Sequence, residues 1–370
     1  MRNNKLLVYA IYPAPYRFEI IKKIAENYNA DVFFESDSGD DRNKKWFTKN
    51  DCNVISTAAG KKFFLNCKKN IKKYSLVVLF DFSGKESIKL ILRCIRKKIP
   101  YVLNCDGAML FKHGNFLKDF LKRILIGNAT AYLATGEHAR GYLKKYGAKD
   151  EDIYYHNFTA LRKDQILDAP VGTEEKERLR AVLGLPVNAK LCVAVGRFIP
   201  LKRYDVLLKL WKNMPEDVYL LLIGGGPEKD KYQAIIEENG LKNVILDDFH
   251  PFDELLGYYK AADLFVHPTS YDVWGLIVNE AMACGLPVVV TDTCVAGLEL
   301  VKNGENGYVT RLGDDDAFIE KILLILGNDT LRSSMAENAV KTIRPFNVEN
   351  MVGSQMRTIN KILSEKCKAE

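Results

Sequence analysis

The chain has no apolar run of eighteen or more residues, so nothing in it reads as a membrane span. Its apolar opening is short and runs into Pro13 and Pro15, which suits a first β-strand and not a signal peptide. The eight cysteines lie far apart without a C-x-x-C pair, and several sit inside apolar runs. That pattern points to buried reduced thiols and away from zinc sites or a disulfide framework. The five histidines are scattered and have no metal-ligand spacing. No G-K-[ST] follows a glycine loop, which excludes a P-loop, and no G-x-G-x-x-G is present, which excludes the dinucleotide fingerprint. Low-complexity tracts and short-period repeats are also missing.

What is present is a globular composition, 47% apolar and 27% charged, in a chain of 370 residues. That length is too great for one compact core and suits two domains. Charge is divided unevenly. Residues 1–170 carry 31 Lys and Arg against 18 Asp and Glu, whereas the remainder carries 23 against 29. A basic half beside an acidic half suggests that the first half faces an anionic surface or ligand. A generally lysine-rich composition would give the same count.

Short apolar runs alternate with helical patterns along the whole chain. Strands are expected at 6–11, 31–34, 75–80, 100–103 and 131–134, and helices at 20–28, 87–98, 117–126 and 137–146. After a polar stretch at 158–173, which reads as a linker, the alternation resumes at 190–195 and continues past Pro287. Helices follow at 316–326, 330–341 and 348–367. Such alternation argues for two α/β halves with parallel, doubly wound sheets.

The most informative segment is PTSYDVWGLIVNEAMACGLP, residues 268–287. It follows a short apolar strand. Gly275 breaks the loop before an apolar helix carrying one acid, Glu280, and Gly285 with Pro287 ends that helix. A helix opening directly after a glycine presents backbone N–H groups and a positive dipole end, an anion site. An acid inside the helix suits sugar or ribose hydroxyls better than phosphate. An ordinary strand–loop–helix–strand unit has the same outline. In VAVGRFIPLKRYDVLL, residues 193–208, a strand ends at Gly196 and Arg197 and Lys202 follow in a short loop. Two cations at the carboxyl end of a parallel strand lie where α/β folds bind ligands, and Arg with Lys suits a diphosphate. In LLLIGGGPE, residues 220–228, glycines at a strand end let backbone approach a ligand closely. NGENGYV (303–309) and VAGLELV (295–301) are turn and helix-start signals.

In order and spacing, GRF…LK, IGGGPE, HPTSYDVWGLIVNEAMACGLPVV, AGLELV and NGENGYV resemble the GT-B glycosyltransferases. The likeness is to the large retaining family 4, which includes sucrose synthases and phosphatidylinositol mannosyltransferases, and in particular to members that build bacterial surface polysaccharides. The first half matches in pattern only.

The resemblance implies an α/β GT-B fold of two Rossmann-like domains facing a central cleft. Residues 1–165 would bind the acceptor, 170–347 the nucleotide sugar, and the helix 348–370 would pack back on the first domain. Arg197 and Lys202 would grip the donor diphosphate, and Glu280 would accept from the ribose. Gly275, Leu276 and Ile277 would offer backbone N–H groups, Phe249 and His250 would lie near the base, and Gly226 would permit close approach. The family usually places two glutamates eight apart. Asp272 stands at the first position, which bears on donor identity.

The loop YPAPYR after the first strand has prolines, Pro15 among them, where most members have glycines. Arg17 in that loop either touches acceptor or donor phosphates or is a surface arginine. Asp106 and His113 follow a strand where the family often places a cleft residue.

The implied reaction retains configuration and needs no metal or other cofactor, because the cations replace Mg²⁺ and the leaving phosphate takes the acceptor proton. The expected donor is a UDP-hexose or UDP-N-acetylhexosamine, and the expected acceptor a lipid-linked sugar or glycan. Domain closure about residues 158–173 and the C-terminal helix would form the site. Residues 116–126 have helical apolar spacing with Lys118, Lys122 and Arg123 on the other face. With Lys61, Lys62, Lys68, Lys69, Lys72 and Lys73 they would face an anionic membrane, at the inner face of the plasma membrane. A core helix with a solvated basic face fits the same spacing. Three rivals remain: a UDP-sugar epimerase or hydrolase of the same architecture, a catalytically silent partner subunit, and a nucleic-acid-binding protein. Aromatic–basic motifs for the last are missing.

Overall fold

A computed structural model describes residues 5–36, 61–108 and 116–369. The chain divides into two compact units, Met1–Ala160 with Asn347–Glu370, and Leu161–Phe346.

The first unit is built on a parallel sheet of β1 (Leu6–Ala10), β2 (Ala30–Phe34), β3 (Leu76–Leu79), β4 (Tyr101–Cys105), β5 (Ala131–Ala134) and β6 (Ile153–Tyr155), in the order β2-β1-β3-β4-β5-β6. Its inner strands β1, β3 and β5 are built of apolar and aromatic residues and fully buried, because both faces are covered. In β1 the alternation of side chains decides which cover each residue meets. Leu7 and Tyr9 join a core with α2 (Lys61–Lys69), α3 (Lys85–Lys97), α4 (Phe116–Gly127) and α5 (Glu137–Lys145). Leu6, Val8 and Ala10 join the opposite core with α1 (Pro15–Asn27) and α14 (Val348–Ala369), which contributes Ile359, Ile362 and Leu363. Pro15 stands in the first turn of α1, where a missing N–H costs nothing. The C-terminal half of α4 is core, with Leu125 and Ile126 buried. Its N-terminal half is not, since Phe116, Leu117 and Phe120 are 81%, 74% and 56% exposed.

The second unit has β7 (Lys190–Arg197), β8 (Val218–Gly225), β9 (Val244–Asp247), β10 (Leu264–His267), β11 (Val288–Thr291) and β12 (Gly307–Thr310), all parallel, in the order β12-β11-β10-β7-β8-β9. Renumbered within the unit this is 3-2-1-4-5-6 read from the β9 edge, the dinucleotide-fold order. The order reverses between β7 and β10, and the carboxyl ends of the strands at such a reversal are where sheets of this order bind ligands. Around the sheet lie α6 (Thr173–Val182), α7 (Tyr204–Trp211), α8 (Lys229–Glu238), α9 (Phe252–Ala261), α10 (Leu276–Ala283), α11 (Val295–Leu300), α12 (Asp315–Leu326) and α13 (Asp329–Ile343). Among the described residues no helix is long and apolar enough to cross a membrane.

Candidate functional site

The reversal of strand order in the second unit puts the loop after β7 beside the loop after β10. Hydrogen bonds tie the two together: the Leu201 carbonyl accepts from Ser270 N at 2.8 Å and from Thr269 Oγ1 at 3.0 Å. Lys202 closes the short 3-10 turn Pro200–Lys202, and its Nζ lies 2.5 Å from Asp272 Oδ2. Asp272 is held in turn by its own N–H on the Thr293 carbonyl at 2.9 Å, and His267 Nε2 lies 3.3 Å from the same Oδ2. Burial alone would raise the Asp272 carboxyl, but His267 and Lys202 hold it well below the usual range. Burial, with Lys202 nearby, pushes His267 down to about 4, so the ring is neutral at ordinary pH. Arg197 ends β7, exposed, in register with Gly225 of β8.

Gly275 caps α10 at φ 102°, a left-handed conformation that opens the helix toward Asp272. A Cβ there would lie 2.8 Å from Cys294 Sγ and 3.5 Å from Asp272 Oδ2. The first N–H groups of a helix have no partner within it, so Leu276 and Ile277 carry donors and a positive dipole end at this spot. The helix stops at Gly285, φ 73°, in a Schellman arrangement: Gly285 N donates to Met282 O at 3.0 Å and Leu286 N to Ala281 O at 3.1 Å. Glu280, further along α10, accepts from Tyr259 Oη at 2.9 Å, and burial pushes its carboxyl up to about 7.

Gly226 has φ 149°, and a Cβ on it would meet the Phe198 carbonyl at 2.5 Å, so backbone packs against backbone where β8 ends. Phe249 flanks the same strand end, its Cβ 3.9 Å from a Cβ placed on Gly225. His250 is engaged by two carboxylates, Glu254 at 2.9 Å through Nδ1 and Asp247 at 3.1 Å through Nε2. Partial burial lowers its pKa, but these two partners carry it above the ordinary value.

In the first unit Arg17 is not a surface residue. It is 8% exposed, with Nη1 on Asp81 Oδ2 at 2.5 Å and Nη2 on Asp106 Oδ2 at 2.7 Å. Burial works against its charge, yet Tyr16 and then the two acids beside it hold the guanidinium pKa well above normal. This pairing joins the carboxyl ends of β1, β3 and β4, and β1 and β3 flank that sheet's own reversal point. Asn104 Nδ2 also donates to Asp106, and Gln355 Nε2 of α14 reaches Asn104 Oδ1 at 3.4 Å. His113 lies outside the described residues, and of Pro15 only the backbone is described. The lysine cluster is partly neutralised: Lys68 pairs with Glu86 at 2.6 Å and Lys73 with Asp31 at 3.2 Å. Among the described residues no group of three His, Cys, Asp or Glu side chains is placed to hold a metal ion.

Sequence reasoning missed His267, Asp81 and Tyr259. His267 carried a signal: it is a polar residue closing an apolar strand, five residues before Asp272. Asp81 and Tyr259 reach their partners only through tertiary contact.

Residues 175–342 match the family model described as glycosyl transferases group 1. The D-inositol 3-phosphate glycosyltransferase of Corynebacterium glutamicum (strain R) is 33% identical over 234 residues, 60% of this chain and 55% of that protein. The lipopolysaccharide core biosynthesis glycosyltransferase LpsE of Rhizobium meliloti is 31% identical over 170 residues, 44% of this chain and 47% of that protein. The chain thus spans about half the length of these relatives. The crystal structure of Anabaena HepE in complex with UDP and glucose matches 96% of this chain and 99% of that one, with a TM-score of 0.76 at 19% identity. That likeness shows the fold, two parallel six-stranded α/β sheets of GT-B type. The matched segment, residues 175–342, is the one that carries Arg197, Lys202, Asp272 and Glu280.

Proposed function

We propose that the protein is a retaining, metal-independent glycosyltransferase. It moves a hexose or N-acetylhexosamine from a nucleotide sugar, with UDP as the nucleotide, to a lipid-linked or polysaccharide acceptor. One observation carries this reading: Lys202, Asp272 and the opening of α10 converge at the reversal point between β7 and β10. Loss of a nucleoside diphosphate from an anomeric carbon leaves negative charge on phosphate. Arg197, Lys202 and the α10 N–H groups supply positive charge for it, and electrostatic stabilisation of this kind does most to lower such a barrier. With cations in that role a divalent metal is not required. In this reading Glu280 accepts from ribose, Phe249 borders the base, and no protein base is needed, because the departing phosphate oxygen takes the acceptor proton.

Two observations bear on the acceptor: the similarity to the lipopolysaccharide core biosynthesis glycosyltransferase of Rhizobium meliloti, and the basic first half. Arg17, Asp81 and Asp106 form a rigid polar rim at the strand ends of the first unit, suited to hydroxyl-rich acceptors. The exposed apolar residues of α4 beside Lys118, Lys122 and Arg123 favour a peripheral position on an anionic membrane. Neither an epimerase nor a nucleic-acid binder is favoured by any contact described above.

Calorimetry with UDP, GDP, ADP and their sugars tests the donor, and turnover with and without chelator tests the metal. UDP binding and chelator-resistant transfer are expected. Arg197→Ala should lower turnover about 10²-fold to 10³-fold with an unchanged melting curve. Heat from none of the nucleotides would refute the donor, and wild-type turnover in Arg197→Ala would remove that residue from the mechanism.

A further inference from the structure

We infer that Asp272 is an exchangeable counter-ion for Lys202: the donor diphosphate displaces the carboxylate from the ammonium, and His267 keeps the carboxylate hydrogen-bonded once the lysine has left. The inference rests on the proposed nucleotide-sugar donor and adds to it a residue that works against tight binding.

Lys202 and Asp272 are neither buried nor fully open, with 12% and 21% of their side-chain surfaces exposed. At 2.5 Å in such surroundings their attraction is far stronger than at an exposed surface. A diphosphate reaching for Lys202 therefore meets a lysine already neutralised and an acid that repels it. Of the two partners the lysine is built to move. It is a point charge on four flexible carbons, whereas the Asp272 loop is fixed through Thr293, Leu201 and an isolated parallel backbone pairing of Asp272 with Cys294.

His267 makes the exchange possible. It is fully buried at the end of β10, stacked 6.1 Å from Phe265. An ionised carboxylate only accepts, so Nε2 of the neutral ring carries the proton and donates to Oδ2. Nδ1 is then a bare acceptor, and among the described residues it has no partner. A neutral donor held in this way does not compete with phosphate for the lysine. It leaves Asp272 with one hydrogen bond after Lys202 departs, sparing part of the desolvation cost of an orphaned charge.

The consequence is the opposite of a simple ligand role. Removing the Asp272 charge should tighten nucleoside diphosphate binding and slow its release. If Asp272 served only to contact the donor sugar, binding of the sugarless nucleotide would not change.

The test is calorimetric titration of the full-length chain with UDP, using wild type, Asp272→Asn, Lys202→Met and the double variant, each checked by thermal melting. Asp272→Ser repeats the measurement should the asparagine disturb the loop. The expected result is about tenfold tighter binding in Asp272→Asn, a gain that vanishes in the Lys202→Met background. His267→Leu should weaken UDP binding, and His267→Gln, which keeps an N–H donor, should restore it. Equal or weaker binding in Asp272→Asn overturns the exchange. So does the same gain without Lys202, which would be plain charge repulsion. His267→Gln behaving like His267→Leu removes the histidine from the device. Should wild type bind none of UDP, GDP and ADP, the donor reading itself fails and the exchange falls with it. A wild type that binds UDP beside an unaltered Asp272→Asn refutes the exchange alone.

Discussion

Asp272 and Glu280 stand eight residues apart on one loop and helix, yet their surroundings drive their carboxyls in opposite directions. Lys202 and His267 hold Asp272 ionised, while burial brings Glu280 up to about 7 against the opposing pull of the Tyr259 hydrogen bond. Separating two acids in this way assigns them different work: a fixed negative charge, and a carboxyl that is partly protonated near neutrality. The Glu280 shift also has a sign for stability. A carboxyl raised in the folded state stabilises fully below its ordinary 4.5, and that contribution is lost as pH rises to about 7. Glu280→Gln should therefore flatten the pH dependence of the denaturation midpoint across this window. At pH 8 it should recover about 2 kcal/mol, allowing for partial exposure of the side chain. An unchanged slope would show that Glu280 ionises normally. The spacing of the two acids is legible in the sequence. Their divergence is not, because the burial of Glu280 is tertiary and His267 and Lys202 reach Asp272 from two other elements.

At the scale of elements, strand ends and glycines decide the shape of the site. The end of β8 approaches Phe198 so closely that Gly226 admits no side chain. Gly226→Ala must accept both φ 149° and a 2.5 Å contact with a carbonyl. It should cost about 2 kcal/mol or more of stability, read from the shift in chemical denaturation midpoint. A neutral effect would mean that this turn yields easily. In the sequence the glycine run signals close approach to a ligand, whereas the neighbour that Gly226 approaches in the structure is the Phe198 backbone; α10 between Gly275 and Gly285 is legible in the sequence. Three elements are not. β6 has three residues, too few for any periodicity to show. α2, KKFFLNCKK, is dominated by lysines. α6 directly follows the polar stretch read as a linker, and its sequence TEEKERLRAV has almost no apolar face. These helices owe their place to packing more than to pattern.

At the scale of the molecule, the basic first half and the exposed N-terminal half of α4 together give the membrane proposal its test. Reversing charge at Lys118, Lys122 and Arg123 should weaken sedimentation with phosphatidylserine vesicles by about 1 kcal/mol per residue, and less at high salt. Unaltered binding would leave α4 as a solvated helix. The sequence by itself determined that there are two α/β halves with parallel sheets, and that cations, glycines and an acid recur at strand ends, because period, punctuation and side-chain type are local properties. Only the tertiary structure decided the strand orders and their reversal points, which placed Lys202 on Asp272 and Arg17 between Asp81 and Asp106. The physical reason is that an ion pair depends on distance through space, and residues seventy positions apart meet only when β10 is laid beside β7.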